Sequence, residues 1–378
     1  MDKPVLFIAH DLGRAGAEMA LLHLLRWIKA RQLFRFEVLV ALPNDGPSNA
    51  WEYGLRAEIE ALCPVHWLNR DGTPTNLVAI QAGQYSLLYA NTIAHSDLLK
   101  SLGPLKTPII CHAHELRYSI TVELGIPKFE VLRSLTTRWI ACANVVRDTL
   151  VQCGVPTDRI EVVHECIPVA EIAARRLELS PEEVRARLKV KPDTFLIVSC
   201  GSFTWIKGYG ILGALIEALR RERPELDFVF IWIGAVGTRR EYYQVLCELA
   251  QARALPFARF TGAQTNPFPW MAGCDAFALL SRQDSFPLVM LEAAAVGLPL
   301  VGFDGAGGFS EFVQSDFGTK VPYNDLGSMA QALARLADDR QLRGQMSMQA
   351  RHHVGHYDLD VQLPLCVAII ERTLKESV

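Results

Sequence analysis

Short apolar runs alternate with helical segments along the chain, and this alternation limits the possible folds more than any other feature. Residues 5–9, 36–41, 65–68, 87–90, 108–111, 138–143 and 160–163 read as strands in the first half. Residues 195–200, 228–233, 259–261, 276–280 and 299–303 do so in the second. Helical patterns separate or follow them, at about 17–31, 144–154, 209–219, 288–296, 326–337, 341–354 and 366–375. A strand, helix, strand succession predicts parallel sheets covered by helices on both faces. Residues 168–192 are charged and helical with no apolar strand, which marks a hinge. The expected layout is α/β, with two doubly wound Rossmann-like domains. The first spans 1–170, a linker 171–192, the second 193–358, and a final helix 359–378.

The chain has 378 residues, enough for two domains of ordinary size. Its net charge of −3 gives no single-sign field that would argue for nucleic acid. No run of 18 apolar residues occurs, and residues 1–10 read as a strand, not a signal peptide. Nine cysteines stand singly without a CxxC pair, which predicts reduced, packed thiols and a cytoplasmic protein.

The most informative stretch is Ser281 to Glu311, SRQDSFPLVMLEAAAVGLPLVGFDGAGGFSE. Ser285 is the expected N-cap and Pro287 falls in the first turn, where a missing N–H is tolerated. Gly297 and Pro299 stop the helix. The free N–H groups at its start, which Pro287 limits to Leu288 and Val289, favour phosphate. Glu292 leans back towards that end. A carboxylate beside phosphate is repelled, so it would accept hydrogen bonds from a neutral ribose diol instead. Asp284 precedes the helix and would reach the other end of the same ligand. Two acids eight positions apart around a helix start fit a nucleotide diphosphate joined to a sugar.

A second anion site is written into Gly201–Gly208, GSFTWIKG, where Lys207 sits at the start of the next helix. The first loop, HDLGRAG, follows a strand and opens a helix. Its Gly13-x-x-Gly16 spacing is not the dinucleotide fingerprint, and an ordinary βα turn fits it as well. Asn91, Thr92 and His95 lie just past a strand end, where open α/β sheets place ligands, so Asn91 and His95 are weak acceptor candidates. His112 and His114 share a strand face, but the sequence offers them no third and fourth metal ligand, so no metal is expected. The first helix interleaves Arg26, Trp27, Lys29 and Arg31 with leucines. That leaves room for weak contact with a membrane surface, although core packing accounts for its apolar positions.

Asp284, seven residues, Glu292, then AAAVGLP and Gly307-Gly308-x-x-Glu311 resemble the acid-x7-acid signature of the retaining glycosyltransferases of family 4, the group 1 glycosyltransferases. Further points of likeness are Gly16-Ala17-Glu18, His114 followed by Glu115, and the Gly201-x5-Lys207-Gly208 loop. The resemblance implies the GT-B fold, with two domains facing a central cleft and the last helix crossing back to the first domain. It implies a metal-independent hexosyltransferase that moves a sugar from a nucleotide diphosphate donor, a UDP-sugar favoured over a GDP-sugar, with retention. The acceptor would be a glycan, a lipid-linked molecule or another hydroxyl, as in polysaccharide biosynthesis, and the enzyme would be cytoplasmic or peripheral at the inner face of the membrane. Lys207 would neutralise the diphosphate, Asp284 would hold the sugar and Glu292 the ribose. His114 would approach the sugar, Gly262 would frame the base, and Gly16, Ala17 and Ser202 would line the donor. The chain departs from the pattern at Ser202, where arginine is common, and at Pro287, where glycine is usual. It also departs at Ala143 and at Glu165-Cys166, read as loop variation. Ser202 and Pro287 keep two alternatives open: a non-catalytic nucleotide-sugar-binding partner subunit, and a GT-B sugar-nucleotide epimerase or hydrolase.

Overall fold

The computed structural model describes residues 3–43, 54–235 and 239–376. The chain forms two compact units, Met1–Cys166 with Leu359–Val378, and Ile167–Asp358. The first holds a seven-stranded sheet of β1 (Val5–Ala9), β2 (Phe36–Pro43), β3 (Val65–Leu68), β4 (Leu87–Ala90), β5 (Ile109–Ala113), β6 (Arg138–Ala141) and β7 (Ile160–Val162). Its order is β3-β2-β1-β4-β5-β6-β7. The second holds β8 (Phe195–Cys200), β9 (Phe228–Ile233), β10 (Ala258–Gly262), β11 (Ala276–Leu279), β12 (Leu300–Phe303) and β13 (Gly318–Val321), in the order β10-β9-β8-β11-β12-β13. Each pairing is parallel, so each sheet is doubly wound about its first strand. Strands such as VLFIA and FVFIWI are buried at every residue, as sheets covered on both faces require. In each unit the order reverses at the first strand, and ligands of such sheets gather beyond the strand ends there.

Two features differ from the sequence reading. The charged helical segment expected as a linker at 171–192 forms two helices, Val169–Arg175 and Pro181–Leu188, that belong to the second unit. Their arginines and glutamates hide a few apolar anchors: Ile172, Val184 and Leu188 are all buried. The second helix begins in a capping box, in which Ser180 Oγ accepts from Glu183 N at 3.2 Å and Glu183 Oε2 from Ser180 N at 2.7 Å. The second difference is that β13, Gly-Thr-Lys-Val, is a strand the apolar pattern did not mark. It pairs with β12 at the sheet edge.

The last helix, Leu359–Glu376, packs on the first unit through Leu363, Cys366, Val367 and Ile370, in one cluster with Leu22, Phe7 and Tyr89. The basic side of the first helix, Gly16–Arg31, stays at the surface but meets partners in the same unit. Trp27 Nε1 donates to Asp360 at 3.0 Å and Arg31 pairs with the same carboxylate at 2.6 Å. Arg31 also lies 4.1 Å from the Trp27 ring centroid, and Arg26 pairs with Glu58. The tryptophan and two of the basic groups that suggested a membrane surface are therefore engaged within the unit. Among the described residues no helix is long and apolar enough to cross a membrane.

Candidate functional site

In the second unit, the loops after β8 and β11 come together because those strands are neighbours in the sheet. Lys207 Nζ reaches Asp284 Oδ2 at 2.6 Å, and Ser281 Oγ donates to the same oxygen at 2.9 Å. The side chains keep only 26% and 12% of their exposure, so the pair is partly withdrawn from solvent. Two glycines make this approach possible. A Cβ on Gly208, where φ is +79°, would lie 1.9 Å from the Leu280 carbonyl oxygen. A Cβ on Gly307 would lie 1.8 Å from the Asp284 carbonyl oxygen. Asp284 N donates to Ala306 O at 2.8 Å and Gly308 N to Asp284 O at 3.1 Å, so the Gly-rich turn fixes the acid's backbone.

The helix after Asp284 runs Leu288–Val296, and Pro287, not Ser285, occupies its N-cap with extended backbone. A proline at this position offers no side-chain oxygen, so this helix start has no side-chain cap. Leu288 and Val289 are its first residues, where N–H groups lack intrahelical partners. Gly297 ends it in the left-handed region at φ +91°. Glu292, half-buried one turn in, has its pKa raised from 4.5 to about 7 by burial, against the opposing charge of Arg175. The part-buried Cys200 thiol, at the end of β8, is pushed up by burial and by the charge of Glu292, against that of Lys207. Gly262, at φ +71°, accepts from Gly234 N at 3.0 Å. Ser202 is exposed in the β8 loop. Sequence reasoning did not single out Arg282. Its backbone N donates to Ile206 O at 2.7 Å, and its guanidinium lies 5.0 Å from the Trp205 ring centroid, which adds a cation beside the Lys207 loop.

In the first unit, polar groups gather at the C-terminal ends of β1, β4 and β5. His114 Nδ1 meets Glu165 Oε1 at 2.6 Å, with side-chain exposures of 8% and 6%. Burial opposes charge on His114, but Glu165, Glu115 and Glu18 together hold its pKa above the ordinary imidazole value. Glu18, buried in the first turn of the first helix, is raised to about 7 by burial and by Asp11. His112 is held well below its ordinary value by burial, and its Nδ1 lies 2.7 Å from the Tyr89 hydroxyl. Gly16 and Ala17 open the first helix, and Asn91 Nδ2 donates to Ala17 O at 2.8 Å. Asn91 and His95 are each only 1% exposed, so neither offers surface to an acceptor. Sequence alone offers no more for Glu165 than the departure from the resemblance at Glu165-Cys166.

Comparison with known proteins agrees with this picture. Residues 194–339 match the family model described as Glycosyl transferases group 1. The chain is 27% identical over 220 residues to D-inositol 3-phosphate glycosyltransferase of Jonesia denitrificans, covering 56% of this chain and 52% of that one. It is 28% identical over 172 residues to the lipopolysaccharide core biosynthesis glycosyltransferase LpsD of Rhizobium meliloti, covering 46% and 48%. The chain thus spans about half the length of these curated relatives. Similarity extends over 95% of this chain and 96% of the relative for the N-acetylgalactosamine-N,N'-diacetylbacillosaminyl-diphospho-undecaprenol 4-alpha-N-acetylgalactosaminyltransferase of Campylobacter jejuni, at 25% identity. Among solved structures, Alr3699/HepE of Anabaena in complex with UDP-glucose superposes with a TM-score of 0.81 at 17% identity, covering 98% of this chain and 100% of that one. WaaG, a glycosyltransferase involved in lipopolysaccharide biosynthesis, does so at 0.71 and 14%, covering 97% and 99%. The fold is GT-B, and the matches together support a glycosyltransferase family.

Proposed function

We propose that the protein is a retaining glycosyltransferase that takes a nucleotide diphosphate sugar, with UDP the favoured nucleotide, and transfers the sugar to a hydroxyl of a glycan or lipid-linked acceptor. The observation that carries this reading is the contact of Lys207 with Asp284 just ahead of an uncapped helix start whose helix carries Glu292, inside the segment that matches the family model. The UDP-glucose complex of the HepE neighbour and the lipid-linked and lipopolysaccharide acceptors in the relatives' names support the donor and acceptor classes.

In this reading Lys207 and the N–H groups of Leu288 and Val289 take the charge that develops on the departing diphosphate. Asp284 exchanges its bond to Lys207 for the donor-sugar hydroxyls. Glu292 accepts from the ribose diol, and Gly262 frames the base. Gly16, Ala17 and Ser202 line the donor. His114 contacts the sugar, and the acceptor hydroxyl attacks the face from which the phosphate leaves. The charge stabilisation comes from the protein, so no metal takes part in transfer.

A thermal-shift panel of UDP, GDP, ADP and NAD, with and without chelator and on Lys207→Ala, tests this. A ligand at one hundred times its dissociation constant stabilises by about 2.7 kcal/mol. One diphosphate should shift the melting temperature, chelator should leave the shift intact, and Lys207→Ala should abolish it. A response to NAD alone would defeat the reading. Undiminished transfer in Glu292→Ala would remove the ribose assignment.

A further inference from the structure

We propose that Glu165 is a positioning residue for the transfer: its carboxylate holds the His114 ring by Nδ1 and commits Nε2–H to an oxygen of the donor sugar. The proposal rests on the reading above, in which His114 contacts that sugar. His114 Nδ1 meets Glu165 Oε1 at 2.6 Å, and both side chains are more than nine-tenths buried. An ionised carboxylate only accepts, so Nδ1 carries the proton. The other ring nitrogen, Nε2, is buried without a hydrogen-bond partner among the described residues. A buried polar atom in that state is costly, and a ligand oxygen would satisfy it. Glu115 lies nearer in the chain but is occupied by backbone: it accepts from His114 N at 2.8 Å and from Ile93 N at 3.2 Å. Glu165 follows β7 and reaches the ring because β6 alone separates β7 from β5.

The groups that face His114 set its charge. Burial opposes the imidazolium, but Glu165 first, then Glu115 and Glu18, favour it and hold its pKa above the ordinary value. Asp11 acts in turn on Glu18. The His112 ring, with its centroid 4.2 Å from that of His114, is kept neutral by burial and by His114 itself, so the two rings do not meet as like charges. The Tyr89 hydroxyl, 2.7 Å from His112 Nδ1, and Cys366 Sγ behind it at 3.5 Å complete the surroundings of that second ring. A charged imidazole donates from both nitrogens, and charge-assisted bonds are roughly twice as strong as neutral ones. Glu165 matches the charge, so the pair sets a strong donor beside the sugar without adding net charge next to a carbon that becomes positive during transfer.

The test follows the His114 imidazole C2–H signal by NMR in the full chain, assigned by its loss in His114→Gln, and measures UDP and UDP-glucose binding by calorimetry. In the unaltered chain the signal should titrate above 6.5. Glu165→Gln keeps an acceptor for Nδ1 but removes the charge, so the proton affinity of His114 should fall about tenfold or more. UDP-glucose should then bind at least fivefold less tightly while UDP binding stays the same, and Glu165→Asp should restore part of both losses. In a His114→Gln background, Glu165→Gln should leave both ligands unaffected, which a merely structural role would not give. A His114 signal that titrates below 6.5 in the unaltered chain overturns the proposal with no variant needed. So does an unmoved signal in Glu165→Gln, or a moved signal with UDP-glucose binding unchanged. If UDP itself fails to bind the unaltered chain, the donor reading falls and the proposal with it. If UDP binds and His114 does not respond to Glu165, the proposal falls alone.

Discussion

Replacing the two members of the Lys207–Asp284 pair, singly and together, measures how far one contact organises the second unit's site. At 2.6 Å the gross attraction is about 6 kcal/mol with an effective dielectric near 20. Both side chains are largely withdrawn from water, and the cost of that desolvation offsets most of the figure. Residues in direct contact show couplings of about 0.5–3 kcal/mol, and a short, part-buried ion pair belongs in the upper half, at about 2 kcal/mol. Urea unfolding of Lys207→Met, Asp284→Asn and the double variant should return that value. Salt should reduce it only partly, because part-buried pairs are weakly screened. The same variants carry a second signature. If Lys207 takes the diphosphate, UDP must draw it away from Asp284, and Asp284→Asn removes both the competitor and a like charge. UDP should then bind about tenfold tighter, a change of about 1.4 kcal/mol by calorimetry, while sugar transfer collapses. A coupling below about 0.3 kcal/mol, within the additivity error of independent sites, would refute the pair. Weaker UDP binding in Asp284→Asn would refute the exchange.

Gly307→Ala should cost more than about 3 kcal/mol, because its Cβ would meet the Asp284 carbonyl oxygen at 1.8 Å and φ is +131°. Urea melts and the UDP shift should fall together, and a stable variant with an intact shift would show that the turn can move aside. Glu292 has a folded-state pKa of about 7 against an ordinary 4.5, so it keeps its proton where the unfolded chain has lost it. Its contribution to stability is full below pH 4.5 and is lost as pH rises through 7. Lowering the pH from 8 to 6 should therefore raise the melting temperature, and Glu292→Gln should flatten that dependence and be the more stable protein at pH 8. Equal slopes in the two proteins would remove the argument. Ser180→Ala should cost about 1 kcal/mol by loss of the capping box, and Ser180→Asp should restore most of it in the same melts.

Sequence reading located those elements whose side chains alone determine their state. FVFIWI has no solvent face, so it can only be an interior strand, and β9 occupies those residues. Gly-Thr-Lys-Val gives no such signal. It becomes a strand because β12 offers an open edge, with Leu300 opposite Gly318 and Val301 opposite Thr319. The helices at 169–188 read as a hinge because their surfaces are rich in arginine and glutamate, yet Ile172, Val184 and Leu188 anchor them in the second unit. The candidate site divides along the same line. Lys207 and Asp284 could each be picked out from its own loop, but not their union, which depends on β8 lying beside β11. Asn91 and His95 were chosen for their position after a strand, and nothing local could reveal that both are buried. The Glu165–His114 contact bridges two strand ends with a third strand between them, so it has no local trace in the sequence.

The last helix belongs to the first unit, yet the whole of the second unit lies between it and the rest of that unit in the chain. A ribosome adding about 5–20 residues per second therefore needs on the order of ten seconds or more to reach it after β7 is made. Throughout that interval the nascent first unit presents the patch around Leu22 and Tyr89 that Cys366, Val367 and Ile370 later cover. A growing chain of this layout carries a timed, sticky half-domain, and its yield in the cell should depend on chaperone supply more than its final stability suggests.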